Sequence, residues 1–469
     1  MICVMIFLTS ICSISVQAAE TDYVLDNNGE RLATPKTHLV NKVITYLGEE
    51  GGSFYEPSDI FIDKEDNIFV ADKGNNRIVK LNAQGDYVCS FTAGGSLKAP
   101  QGVYSSDFGG LFVADTGNQR IVNLDDSDSI VEEFVKPKSD ILEENSDFAV
   151  NKLYISKQGF LYVIKGQKFM TIDANNEFKG YVGANALSYS LKRILIRMFA
   201  TDAQKEQLEL ETAPPYNNFV IANDGMIYAV SATDSAQIQK LNVSGENIFP
   251  TDYISERLFA DDGRSITPEY IDIAVDGDGI ISVLERNSGH ISQYDQSGNL
   301  ITIFGGKGDK KGYFQNPSSL AVNSRGELYV LDSSTGYIHI FEPTSFMENI
   351  ASAIVSYHNG NYEDAYEQWT KVIDTDMNYP LANMGLGQVL YKMGEPEAAM
   401  QYFKIAKEQQ RYGQAFEDYR YTIIKSNFFL IVGCVVAVVA VVITLVFYFR
   451  RTSRNILHDY HYGPSEVIK

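Results

Sequence analysis

Short apolar runs separated by polar turns recur along most of the chain, and their lengths predict β-strands. The clearest pair is Ile68–Val79 and Leu111–Val122, which match closely and lie 43 residues apart. Each reads as an apolar strand, a Gly-Asn turn and a second strand opening on Arg-Ile. Leu328–Ile338 is a fainter copy. Pro-led strands precede the three copies at Pro57–Ile60, Pro100–Val103 and Pro317–Leu320. Between them lie three degenerate units, Leu161–Ile164, Met226–Val230 and Ile280–Leu284, each preceded by a turn signal ending in Gly159, Gly225 or Gly279. Six units of four short strands at this spacing predict a mainly β chain folded as a six-bladed β-propeller.

The consensus resembles the NHL repeat. Blades one and two carry its Pro-x-Gly/Asp-Ile/Val, Val-Ala-Asp and Gly-Asn-x-Arg-Ile elements, and the resemblance runs from Val40 to Phe341. The propeller is therefore placed at residues 40–342. Blade six supplies three strands before Glu342-Pro343, so its outer strand is expected from Asn41–Leu47, which closes the ring and protects a sheet edge. The repeated motif residues are Asp72, Asn75 and Arg77 in blade one and Asp115, Asn118 and Arg120 in blade two. The carboxylates, with Asp332, could bind a metal or ligand at the channel mouth, or cap the hairpin turn and pair with the Arg. Their repetition favours the structural role. A segment at 184–214 interrupts blades three and four. Its basic stretch Leu191–Phe199 places Leu191, Ile194, Leu195 and Met198 on one helical face. A helix laid on the propeller's own face is the expectation there, ahead of a membrane surface or a partner helix.

After Pro343 the period becomes helical. Gly360, Ala365, Trp369 and Val372 recur 34 residues later as Gly394, Ala399, Phe403 and Ala406. This is similar to two tetratricopeptide repeats, an all-α module which, with a capping helix, spans 346–425. The resemblance puts Tyr357, His358, Tyr391 and Lys392 late on the first helix of each repeat, where a protein-binding groove would lie; packing inside the module is their alternative role. A further apolar run, Phe428–Phe449, holds 22 residues without a charge. As a helix it is about 33 Å long, enough to cross a bilayer core.

Residues 1–18 are uncharged and apolar and end on Val16-Gln17-Ala18, the pattern of a cleaved signal peptide. Arg450, Arg451 and Arg454 follow the apolar helix, while only Lys425 lies close before it. Both signals place the ectodomain outside and the tail, 450–469, in the cytoplasm of a single-pass cell-membrane protein. Cys89 alone would remain in the ectodomain, so no disulfide forms within it, which suggests a bacterial source. The formal net charge of −21 argues against nucleic acid.

Candidate chemistry is sparse. His290, His339 and the preceding His38 show no zinc-ligand spacing. Asp272, Asp276, Asp278 and Glu285 leave open a Ca²⁺ site built of oxygen ligands from several blades, and whether the channel holds a metal is undecided by sequence. No cofactor is predicted, and no nucleophile elbow, zincin motif or phosphate loop appears. The architecture resembles bacterial surface proteins with outward NHL and tetratricopeptide segments on one membrane span. It is also similar to the propeller sensors of receptor kinases, yet the twenty residues from Arg450 to Lys469 leave no room for a kinase. A signal would then pass through a membrane partner. The expected function is a non-enzymatic, extracytoplasmic binding or scaffold protein, an accessory of a membrane complex such as a transporter. The alternatives are a lactonase-like metal-dependent hydrolase at the cell surface and a cell-envelope glycan binder.

Overall fold

The computed structural model describes residues 22–461 except 27, 138, 140, 141, 143–146, 184–214, 233–235 and 260–263. Residues 1–21, 184–214 and 462–469 lie outside the described residues, and so do the expectations made for them, the cleaved signal peptide and the basic helix included. The chain divides into two compact units, Met1–Ala382 and Asn383–Lys469.

The first unit contains six antiparallel blades. Blade one is Asp59–Ile62, Ile68–Asp72, Arg77–Leu81 and Tyr87–Phe91, and blade two is Gly102–Ser105, Leu111–Asp115, Arg120–Leu124 and Ile130–Phe134. Blade three is Val150–Ile155, Leu161–Lys165, Lys168–Ile172 and Phe178–Tyr181. Blade four has three strands, Tyr216–Ile221, Ile227–Ser231 and Ile238–Leu241, extended by one bridge from Leu241 to Asn247. Blade six, Pro317–Val322, Leu328–Asp332 and Tyr337–Pro343, takes His38–Ile44 as its outer strand. The closing strand thus comes from the N-terminal stretch, three residues earlier than its sequence suggests.

Blade five holds a finding the sequence did not signal. Its own strands, Tyr270–Val275, Ile281–Glu285, His290–Tyr294 and Leu300–Gly305, are followed by the hairpin Asp22–Leu25/Arg31–Thr34, giving six strands. The paired strands therefore begin at Asp22, well before Val40. One ladder pair, Tyr23 with Ile303, joins this hairpin to the blade. Side chains add the rest: Glu256 accepts from Tyr23 Oη at 2.6 Å and Arg31 Nη2 at 2.5 Å, and its other oxygen lies 2.6 Å from His290 Nδ1. Burial opposes the Glu256 charge, but His290, Tyr23 and Arg31 outweigh it and hold the carboxyl at about 2.

The second strand of a blade is apolar on both faces because neighbouring blades cover both. Ile68–Asp72, Leu111–Asp115, Ile281–Glu285 and Leu328–Asp332 are buried throughout. One apolar layer fills each gap around the ring. Ile44, Ile60, Val70, Leu331 and Ile338 join blades six and one, for example, and Leu284, Ile291, Leu320 and Val330 join five and six. No gap lacks such a layer, so the ring is closed by packing as well as by the shared blade.

Helices follow blade six: α1 (Ser345–His358), α2 (Tyr362–Thr375) and α3 (Pro380–Lys392), then α4 (Pro396–Ile405), α5 (Gln409–Ser426) and α6 (Phe428–His461). Thr344 caps α1 by accepting from Met347 N, and its hydroxyl donates to Lys36 O at 2.7 Å. Tyr379, fully buried, packs edge-on against Phe346 and donates to Ile301 O at 2.7 Å. In the second unit, Leu390, Ala399, Phe403 and Ala415 form a small core. The stretch Phe428–Arg454 within α6 is long and apolar enough to cross a membrane, and its most apolar window is exposed along its whole length.

Candidate functional site

Four of the six inner strands skip one residue in the ladder at the same place. The skipped residues are Asn151, Asn217, Ile271 and Ser318 in blades three to six. Ser58 and Gln101 hold this place in blades one and two, where their N–H groups bond to the carbonyls of Ala71 and Ala114. A bulge re-aims its side chain and bends the strand. Here it directs polar groups from blade to blade. Ser58 Oγ lies 3.3 Å and 3.2 Å from the Pro100 and Gln101 carbonyls, Asn217 Nδ2 donates to Tyr270 O, and Ser318 Oγ lies 3.1 Å from Pro57 O.

The next residue of every inner strand forms a second ring: Asp59, Gly102, Lys152, Asn218, Asp272 and Ser319. Asp59, Asp272 and Ser319 each accept the N–H of the following blade's strand, from Val103, Leu320 and Ile60. Asn218 instead caps Phe219 within its own blade. Lys152 Nζ reaches across to Asp59 Oδ1 at 2.6 Å. Gly102 is fixed by space, since a Cβ there would lie 2.5 Å from Asn151 O.

Charge in this ring is closely balanced. Burial works against the Lys152 ammonium, but the Asp59 and Asp272 carboxylates outweigh it and hold its pKa above the ordinary value. Burial, with the Asp59 charge, raises Asp272 against the opposing pull of Lys152 and Ser319. Ser319 Oγ lies 2.6 Å from Asp272 Oδ2 and 3.1 Å from Asp59 Oδ1. A hydroxyl has one proton to give, so Ser319 donates to one of the two carboxylates at a time. These groups are occupied with holding blades together.

The motif residues lie at the ends of the second strands. Asp72, fully buried, accepts from Tyr55 N at 2.8 Å, Asn75 Nδ2 at 2.9 Å and Arg77 Nε at 2.7 Å. Asp115 accepts from Lys98 N, Asn118 Nδ2 and Arg120 Nε at 2.7 to 2.8 Å. Asp332 accepts only backbone N–H groups, from Gln315, Asn316, Ser334 and Thr335. Glu285 takes this place in blade five, receiving Glu269 N and Ser288 N, and its longer side chain hid the equivalence in sequence. Losing a charge-assisted bond to a buried carboxylate is expected to cost about 1.5–3 kcal/mol. Arg77→Met should lower unfolding stability by that amount, measured by denaturant titration.

The proposed Ca²⁺ ligands are not brought together. Asp272 sits in the ring and Glu285 at one end of its hairpin, whereas Asp276 lies in the turn at the other end, accepting from Asp278 N and Ile280 N. Burial raises Asp276 to about 6. Among the described residues, no group of three or more His, Cys, Asp or Glu is arranged to hold a metal ion. His38 stacks on Phe304 and is pushed by burial to about 3. His339 accepts from Gly312 N through Nδ1 at 3.2 Å, and His290 belongs to the Glu256 cluster. Of the four proposed protein-binding residues, Tyr357 packs against Tyr362 and the exposed His358. In the second unit, half-buried Tyr391 donates to Asp418 at 2.5 Å on α5, and Lys392 is exposed.

An open cleft of about 490 Å³ lies at the seam of blades six and one, on the side where the inner strands begin. Tyr55, Glu56, Lys73, Gln101, Asn316 and Ser334 contribute to its lining.

Residues 54–81 match the NHL repeat. No curated protein matches the chain. Among solved structures, a catalytically inactive virginiamycin B lyase from Staphylococcus aureus is 14% identical with a TM-score of 0.40, covering 70% of this chain and 97% of that one. A gluconolactonase from Xanthomonas campestris is 10% identical (TM-score 0.40; 64% and 92% covered). A Bacteroides thetaiotaomicron protein of unknown function is 11% identical (TM-score 0.41; 67% and 80% covered). The six-bladed propeller is established by the chain's own sheets and apolar layers.

Proposed function

We propose that this chain is a non-enzymatic, membrane-anchored binding protein whose propeller and helical pairs face outward, serving as an accessory of a membrane complex. The observation that carries this reading is the join, in one chain, of a propeller to an exposed apolar helix with Arg450, Arg451 and Arg454 at its C-terminal side. The ring carboxylates support it too, because their oxygens are committed to backbone N–H groups, Ser319 and Lys152. In this reading the paired helices are tetratricopeptide repeats. Tyr357, His358, Tyr391 and Lys392 mark the protein-binding face.

Mild crosslinking in native membranes, followed by affinity purification and mass spectrometry, tests the proposal. A reproducible integral-membrane partner is the expected result, and recovery of the chain alone would overturn the accessory role. Orientation has its own readout. A C-terminal epitope should be protected from protease in right-side-out vesicles while the propeller is accessible. Cleavage of the epitope would reverse the topology.

A further inference from the structure

The cleft between blades six and one has a composition unlike that of the channel ring. Tyr55 is 61% exposed, and its ring lies against Gly74, where a Cβ would come within 2.2 Å of Tyr55 Cδ1. Tyr55 N is held by Asp72, and its carbonyl accepts Gly74 N at 2.8 Å. The turn glycine thus seats an aromatic platform as well as making the turn. Gln101, Asn316 and Ser334 also line the cleft. Gln101 Oε1 accepts from Asn151 Nδ2 and Asn316 Nδ2 donates to Ser333 Oγ, each at 2.7 Å, which leaves Gln101 Nε2 and Asn316 Oδ1. The two charges present neutralise each other, with Lys73 Nζ 3.3 Å from Glu56 Oε2. A polar lining suits an apolar ligand poorly, and an ionic ligand would have to break the Glu56–Lys73 pair.

Such a site fits a molecule with one apolar face and an edge of hydroxyl groups. Gln101 Nε2 as donor, Asn316 Oδ1 as acceptor, the serine and the ion pair serve the edge, and the tyrosine ring covers the face. We infer that the cleft is a binding site for a neutral saccharide, with Tyr55 as the stacking platform. This deepens the reading of the propeller as a binding unit and rests on that reading.

The test uses the full chain in lipid nanodiscs, titrated calorimetrically with an N-acetylglucosamine tetramer and, separately, with maltotetraose. Saturable binding of at least one is expected. Tyr55→Ala should weaken it about tenfold or more, equivalent to about 1.4 kcal/mol. Tyr55→Phe keeps the ring and should stay within about threefold of the parent. Because Tyr55 is exposed, an unchanged melting midpoint is expected in both variants, which separates loss of the site from loss of the fold. No binding of either sugar at millimolar concentration, or equal binding by Tyr55→Ala, overturns the inference. Capture of the membrane partner reports separately on the wider proposal. Sugar binding without a partner would overturn the accessory role and leave the site standing.

Discussion

Replacing Lys152 by Met should destabilise the propeller by about 3–5 kcal/mol, the cost of leaving a buried charge without its partner. Lys152 is the one cation of the channel ring, its side chain 16% exposed and 2.6 Å from Asp59, with Asp272 also acting on its charge. Methionine restores the chain's bulk but leaves both carboxylates facing one another through Ser319. The deficit should therefore depend on pH. The folded-state pKa of Asp272 is raised above the unfolded value, so the native state holds that proton more tightly. Its contribution to stability is present in acid and is lost as pH rises from the ordinary carboxylate range through the folded value. Without Lys152 that loss should grow. Denaturant titrations of the parent and Lys152→Met should diverge toward neutral pH and converge in acid. A constant difference would mean that Lys152 acts through packing alone. Adding Asp59→Asn to Lys152→Met should recover part of the loss, since one buried charge is then removed.

Blades one and two were legible because their signals are local. A Val-Ala-Asp strand end, a Gly-Asn turn and an Arg five residues after the Asp define one hydrogen-bonded corner, and the distances at Asp72 and Asp115 repeat almost identically. Blade five uses Glu285 at that corner and so lacked the signature. The ring of Asp59, Lys152, Asp272 and Ser319 was hidden for another reason. Its members lie as far apart as 260 residues, and no local pattern marks a residue whose partner is on another blade. The six-stranded form of blade five rests on one ladder pair and a Glu256-centred cluster, again between distant segments. Helical spacing behaved better. Ala365 and Ala399 are fully buried, with Trp369 and Phe403 nearly so, because the 3.6-residue period states directly which face is inside. The cleft at the blade six seam depends on Gly74 seating Tyr55. In sequence Gly74 reads simply as a turn residue, and Tyr55 as an ordinary aromatic before Pro57.

Removing residues 22–44 should abolish the cooperative unfolding of the propeller. His38–Ile44 pairs with Tyr337–Pro343 along most of that strand, from Ile338 opposite Ile44 to Pro343 opposite His38. Without it, blade six ends on an unpaired edge, whose exposed N–H and C=O groups would template association between chains. The same deletion takes Ile44 from the layer shared with Ile60, Val70 and Ile338, and removes the carbonyls of Lys36 and Thr37 that the Thr344 hydroxyl meets at the start of α1. A milder change isolates the packing part. Ile44 is 4% exposed, so Ile44→Ala should cost about 2–5 kcal/mol while keeping the ladder. The two variants should differ in kind, which size-exclusion chromatography with denaturant titration can read. Ile44→Ala should stay monodisperse with a lower midpoint. The deletion should aggregate or lose its sharp transition. If the deletion unfolds as cooperatively as the parent, the apolar layers close the ring without the shared blade, and the N-terminal strand merely covers an edge that five blades and a three-stranded sixth can leave open.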